Sequence, residues 1–390
     1  MRYNKLLVVP AALAVLSAGL VVSSQRSAPA RADSPCPRYY VATGDGVVYG
    51  TDASDPGKDT DKAYPHHLID TRLNKNFPAG SGPWCLQNVS YDKTTTDAYV
   101  NDKQGSSTST QQGLGSFYKP TLITVMVGRQ NDSLVDSITT CLDHVKHHRY
   151  LEANTCALKV LTDQAAFTKL TKDVSGILGK YQTLMAGNPK LVVAVPGYYD
   201  PYPHATTVAT KIPGFCSKLV DTIPTCIARW ILLPPALVSL DLVVKQINST
   251  ISAVVQKLAT GNQGRFVFVN TYDEMNDHCM RMNVTIHTKV YHPPSTVDQH
   301  DAGEENFGCD TSWIGKDGKD VNPGFEPFTY LPPAIDGLLV YADHTTKDLG
   351  VNPNDNGHEC IATLIWSAVY QKLGWPQSPV PAKDCSKVGV

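Results

Sequence analysis

Short, wholly apolar runs alternate along the chain with longer stretches in which apolar residues recur every three or four positions. Tyr40-Val41-Ala42-Thr43 runs into a Gly44-Asp45-Gly46 turn and reads as a first buried strand with its exit. Trp84–Val89, Leu122–Val127, Leu191–Val195 and Arg265–Val269 share this character and predict further strands. Leu134, Ile138, Leu142 and Val145 mark one amphipathic helix, and Phe167, Leu170, Val174, Ile177, Tyr181 and Met185 a second. Leu237, Leu240, Val243, Ile247, Ile251 and Val254 mark a third behind Pro234-Pro235, and Asn356–Leu373 a closing one. Ala63–Leu73 is weakly helical. Thr51–Asp61 and Thr94–Gly115 are polar and predict loops, and Asp277–Tyr341, rich in Pro, Gly and Asp, predicts irregular chain. Strands that alternate with helical patterns imply an α/β fold with a mostly parallel sheet covered on both faces.

The N-terminus changes the picture of where this domain works. Arg2 and Lys5 precede a continuous apolar or small run, Leu6–Val22, and Ala30-Arg31-Ala32 supplies small residues before Asp33. That is the build of a secretory signal peptide over residues 1–32, with an uncleaved membrane anchor as the alternative. A single domain with loop and helical insertions is expected over 33–378, followed by a tail at 379–390 tied by Cys385. A cut after Ala32 removes four of the 34 basic residues and leaves 30 against 36 acidic, so the mature surface offers no footprint for nucleic acid.

The 10 cysteines are an even set behind a leader, and none forms a Cys-x-x-Cys pair. They point to disulfides in an oxidising compartment rather than to zinc or thiol redox chemistry. Neighbour pairing is the expected scheme: Cys36–Cys85, Cys141–Cys156, Cys216–Cys226, Cys279–Cys309 and Cys360–Cys385. Asp143, His144, His147 and His148 have helical spacing but lack a distant third ligand, so a solvated face is the reading. No metal and no cofactor is expected. The run Ile231–Val244 reads as a buried helix, with a lid over a lipid site as the alternative.

Two stretches carry a resemblance: Thr43-Gly44-Asp45-Gly46 near the start and Val351-Asn352-Pro353-Asn354-Asp355-Asn356-Gly357-His358 near the end. They resemble the first and last blocks of the SGNH (GDSL-type) hydrolases, secreted esterases and lipases. The resemblance implies a three-layer α/β/α sandwich of flavodoxin-like type, about five strands, and a site at their C-terminal ends. It also implies a nucleophilic serine, a histidine base, an acid and oxyanion donors. Those roles fall on Gly46 (nucleophile), Lys93 (oxyanion glycine), Asn131 (oxyanion donor, retained), Leu349 (acid) and Asn352 (base).

Gly46 has no atom that attacks a carbonyl, and an amide such as Asn352 accepts no proton near neutral pH. Gly46 fits equally a tight turn or a close backbone approach, and Asn131 fits equally a helix N-cap. His358 follows the family's Gly-His pair at a helix start and is read as structural. His344 beside Asp343 is the one substitute base in view. The expectation is a degenerate, non-catalytic protein that takes a glycan, lipid or protein ligand in the former cleft. Two alternatives stand beside it: an active carboxylester hydrolase with non-standard residues, and an envelope scaffold.

Overall fold

The computed structural model describes residues 36–51, 60–75, 82–92, 94–100, 118–128, 131, 134–146, 149–202, 204–218, 231–275, 283–292, 296–306, 339–347 and 353–375. The leader, the C-terminal tail, Lys93, Leu349 and Asn352 lie outside them. The strands are β1 (Arg38–Gly44), β2 (Trp84–Asn88), β3 (Leu122–Met126), β4 (Val192–Pro196) and β5 (Phe266–Val269). The helices around them are α1 (Gly46–Tyr49), α2 (Tyr64–Leu68), α3 (Thr96–Val100), α4 (Val135–Lys146), α5 (Tyr150–Thr162) and α6 (Gln164–Gly187). They continue with α7 (Ala205–Lys218), α8 (Leu233–Gly261), α9 (Tyr272–Met275) and α10 (Asp355–Val369).

The five strands pair in parallel in the order β2-β1-β3-β4-β5. Val41 stands beside Gln87 on one side and Ile123 on the other. Helices α2 and α10 pack together, and α5, α6 and α8 form a second group. The inner strands β3 and β4 are buried along their whole length, as a doubly covered parallel sheet requires. The fold is therefore the expected α/β sandwich. Its strand order reverses direction between β1 and β3, which opens a crevice at their C-terminal ends.

Burying polar strand residues costs stability unless they find partners. Tyrosine hydroxyls supply them: Thr43 Oγ1 bonds Tyr99 Oη at 2.6 Å, and Thr124 Oγ1 bonds Tyr40 Oη at 2.9 Å and Tyr64 Oη at 3.1 Å. Beyond α2 the chain widens into a π-helical turn, Ile69–Leu73, closed by Asn74 N–H on Ile69 O at 2.8 Å. The Asn74 side chain then exchanges two hydrogen bonds with the Trp84 backbone, which sets the start of β2.

Three parts of the fold differ from the sequence reading. Asp277–Tyr341 is not irregular throughout: β6 (Asn283–His292) and β7 (Thr296–Asn306) lie within or across it. With β8 (Leu339–Lys347) they form an antiparallel sheet in the order β7-β6-β8. The period-two alternation of Val284, Ile286, Thr288 and Val290 is the strand signal there. Inside the expected 94–115 loop, α3 turns only Thr96 and Tyr99 inward, too few residues for a helical pattern to show. Helix α5 was not anticipated, because its inward residues include the small Ala153 and Ala157 while Leu151 and Leu158 face solvent at 57% and 47% exposure.

Helix α8 is long and apolar enough to cross a bilayer, yet Leu237, Leu240, Val243 and Ile247 are buried in the core. Val238 and Leu242 on the helix, and Ile231 just before it, remain exposed. Disulfides join Cys36 to Cys85, stapling β1 to β2, and Cys141 to Cys156, stapling α4 to α5. Cys360 is disulfide-bonded as well. The other expected pairings involve cysteines outside the described residues or side chains not described.

Candidate functional site

The crevice begins where β1 ends. Gly44 has φ +145°, and a Cβ there would lie 2.2 Å from Met126 O, so only glycine lets β1 close against β3. Asp45 is fully buried and bonded on both oxygens. Its Oδ1 accepts from Val47 N–H at 3.1 Å, capping α1, and its Oδ2 accepts from Tyr198 Oη at 2.7 Å. The next position, Gly46, is where the motif resemblance expects a nucleophile. A Cβ on Gly46 would lie 2.8 Å from both Asp92 Oδ1 and Thr51 Oγ1. Thr51 Oγ1 has one proton and two acceptors in reach, Asp92 Oδ1 at 2.8 Å and Gly46 O at 2.9 Å. Two oxygens thus crowd the place from which a serine side chain would start.

At the end of β3, Asn131 is fully buried, and its backbone oxygen accepts the first N–H groups of α4 from Leu134 and Val135. Its side-chain Nδ2 donates to Thr96 Oγ1 at 2.6 Å and to Asp173 Oδ2 at 3.0 Å. Asp173 Oδ2 also receives Lys169 Nζ at 2.7 Å. Both amide hydrogens of Asn131 are therefore directed between α3 and α6. To donate to an oxyanion in the crevice, the amide would have to give up one of these buried acceptors.

At the last block, Asn354 Oδ1 caps α10 by accepting Gly357 N–H at 3.2 Å. His358 is fully buried, and its Nδ1 accepts Tyr64 N–H at 3.3 Å, tying α10 to α2. Burial, reinforced by nearby His67, pushes the His358 pKa down to about 3, so the imidazole stays neutral across ordinary pH. Its Nε2 meets no partner among the described residues. This is a structural histidine. His344 stands in β8 opposite Ile286, and Asp343 opposite His287.

Next to the crevice, the turn after β4 carries features that sequence reading missed. Burial pushes the Asp200 carboxyl up to about 8, opposed by the Tyr202 N–H bond and aided by the neighbouring Asp241 carboxylate. The Asp241 carboxylate lies close enough to Asp200 to disfavour a second negative charge there. Asp241 in turn accepts from Tyr272 Oη and from Lys245 Nζ, the latter at 2.9 Å. Beside this pair a cavity of about 120 Å³ opens between α4, α8 and the same turn, with Ile138, Leu142, Tyr199, Tyr202, Val243 and Ile247 in its walls. The Pro196-Gly197-Tyr198-Tyr199-Asp200-Pro201 turn was visible in sequence, but Asp241 lies on a distant helix, and nothing local marks the two as partners.

Among the described residues no three His, Cys, Asp or Glu side chains converge as a metal site. Asp143 instead pairs with Arg149 at 3.1 Å, and His147 and His148 lie outside the described residues.

No protein-family model matches the sequence, and no curated protein matches it. Among solved structures, the chain is similar to a phospholipase A1 from Streptomyces albidoflavus at 17% identity and TM-score 0.40, over 82% of this chain and 94% of that one. It is similar to an extracellular lipase from Streptomyces rimosus at 15% identity and TM-score 0.40, over the same 82% and 94%. An acetyl-xylooligosaccharide esterase from Geobacillus stearmophilus follows at 10% identity and TM-score 0.26, over 62% of this chain and 80% of that one. Scores this low carry no argument about chemistry, and the fold is read from the strand order itself.

Proposed function

We propose that the chain is a degenerate SGNH-type hydrolase, a secreted protein that holds a ligand at the β1/β3 crevice without cleaving it. The observation that carries this reading is Gly46, whose missing side chain faces Asp92 and Thr51 oxygens at 2.8 Å. A nucleophile is absent where the first block places it, and the side-chain donors of Asn131 are engaged by Thr96 and Asp173. In an unrelated serine hydrolase, loss of the serine or the histidine alone costs on the order of 10⁶ in kcat. The leader-like N-terminus and the disulfides Cys36–Cys85 and Cys141–Cys156 support an oxidising, extracytoplasmic location.

A second reading, an ester hydrolase with non-standard residues, draws on one contact. The Thr51 hydroxyl lies beside Gly46 and is hydrogen-bonded to Asp92 at 2.8 Å. Alcohol nucleophiles are typically activated by an adjacent histidine or amine rather than by a carboxylate alone, which favours the binding reading. Intact-mass analysis after treatment with a fluorophosphonate tests both. The binding reading predicts no adduct on the mature protein and none on Gly46→Ser; an adduct that maps to Thr51 or to any serine of the crevice would overturn it.

A further inference from the structure

The cavity between α4, α8 and the turn after β4 is lined by none of the residues that the motif resemblance assigns to the hydrolase-like site, although its Tyr198 bonds Asp45 beside Gly46. We propose that it is a binding site for one small uncharged aromatic ring. Its volume of about 120 Å³ is far larger than a single water requires. An engineered apolar cavity of roughly 150 Å³ stays dry and takes up benzene. The walls here are of the same kind: Ile138 and Leu142 from α4, Val243 and Ile247 from α8. Thr139 and the tyrosine hydroxyls are the polar side chains of the lining, and the rest of it is apolar, which favours an apolar ligand over ordered water. A void of this size in a close-packed interior forfeits dispersion contacts that a fitting ligand restores.

Tyrosine walls select the kind of ligand. Tyr198, Tyr199 and Tyr202 line the cavity and are all nearly fully buried. Aromatic faces and edges favour a ring in offset or edge-to-face contact over a saturated chain of equal bulk. The Tyr198 hydroxyl is already directed out of the cavity, to Asp45 Oδ2 at 2.7 Å. That contact ties the cavity wall to the residue preceding Gly46, so a ring in the cavity bears on the end of β1.

The test uses the mature, disulfide-bonded protein and the ¹⁹F linewidth of fluorobenzene, with toluene and n-hexane as competitors. Saturable binding displaced by toluene more strongly than by hexane is expected. Val243→Phe and Ile138→Phe fill the cavity from opposite walls, and each should weaken binding at least about tenfold, a loss readable directly as a change in Kd. Undiminished binding by a folded filler variant overturns the proposal, as does stronger displacement by hexane or no binding by the wild type. If both fillers fail to fold, a xenon-pressurised crystal decides: xenon in this cavity supports the site, and a cavity without xenon overturns it. Ester turnover, which would defeat the non-hydrolytic reading, leaves this result untouched.

Discussion

Asp200→Asn should change how stability depends on pH. In the folded protein burial raises the Asp200 carboxyl from 3.8 to about 8. Between those values the folded state keeps a proton that the unfolded chain has lost, so rising pH draws the equilibrium toward unfolding. The slope is at most about 1.4 kcal/mol per pH unit, or about 2.7 kcal/mol from pH 5 to pH 7. Asparagine keeps an acceptor for Tyr202 N–H, which lies 2.9 Å from Asp200 Oδ1, and like the protonated acid it sets no charge beside Asp241. It cannot ionise.

The variant should therefore match the wild type only below about pH 3.8, and its advantage should grow by about 2–3 kcal/mol between pH 5 and pH 7. Urea unfolding of both proteins at pH 5, 6, 7 and 8 measures this, because titrating groups that do not interact with position 200 cancel in the difference. A difference that stays constant across that range would refute the assignment of a buried, proton-holding carboxyl at position 200.

Other consequences are sharper in contrast than alone. Gly44→Ala sets a Cβ 2.2 Å from backbone at φ +145°, whereas Gly46→Ala meets only the tips of the exposed Asp92 and the half-buried Thr51. The first should cost more than about 3 kcal/mol or prevent folding, and the second about 1 kcal/mol, as read by thermal unfolding. Comparable losses would contradict the account of the crevice. Asp173→Ala removes one acceptor from each of Asn131, Thr96 and Lys169 and should cost about 1–3 kcal/mol, with Asp173→Asn recovering part of it; a neutral alanine variant would show that this network is not formed.

What the sequence made visible was whatever local pattern determines. Strands β3 and β4 appeared because two-sided burial writes itself as a short apolar run, and α6, α8 and α10 because their inward faces carry large residues at helical spacing. Helix α5 hid because Ala153 and Ala157 pack inward where leucines would have been conspicuous. The position of Gly46 at the crevice was legible from its motif. The oxygens that crowd it were not, since Asp92 reaches it from beyond β2. Nor was the inward aim of Asn131, which depends on Thr96 and Asp173 in two other helices. The Asp200–Asp241 pair is a tertiary contact between a turn and a helix, and no spacing rule announces it.

The most direct test of the central claim is hydrolysis of p-nitrophenyl butyrate by the purified mature protein, against a heat-denatured control and against Thr51→Val. The account predicts rates equal to the control for both proteins, because position 46 supplies no nucleophile and Thr51 is bonded to a carboxylate rather than to a histidine. Turnover clearly above the control, abolished by Thr51→Val or by a serine-directed phosphonate, would contradict it.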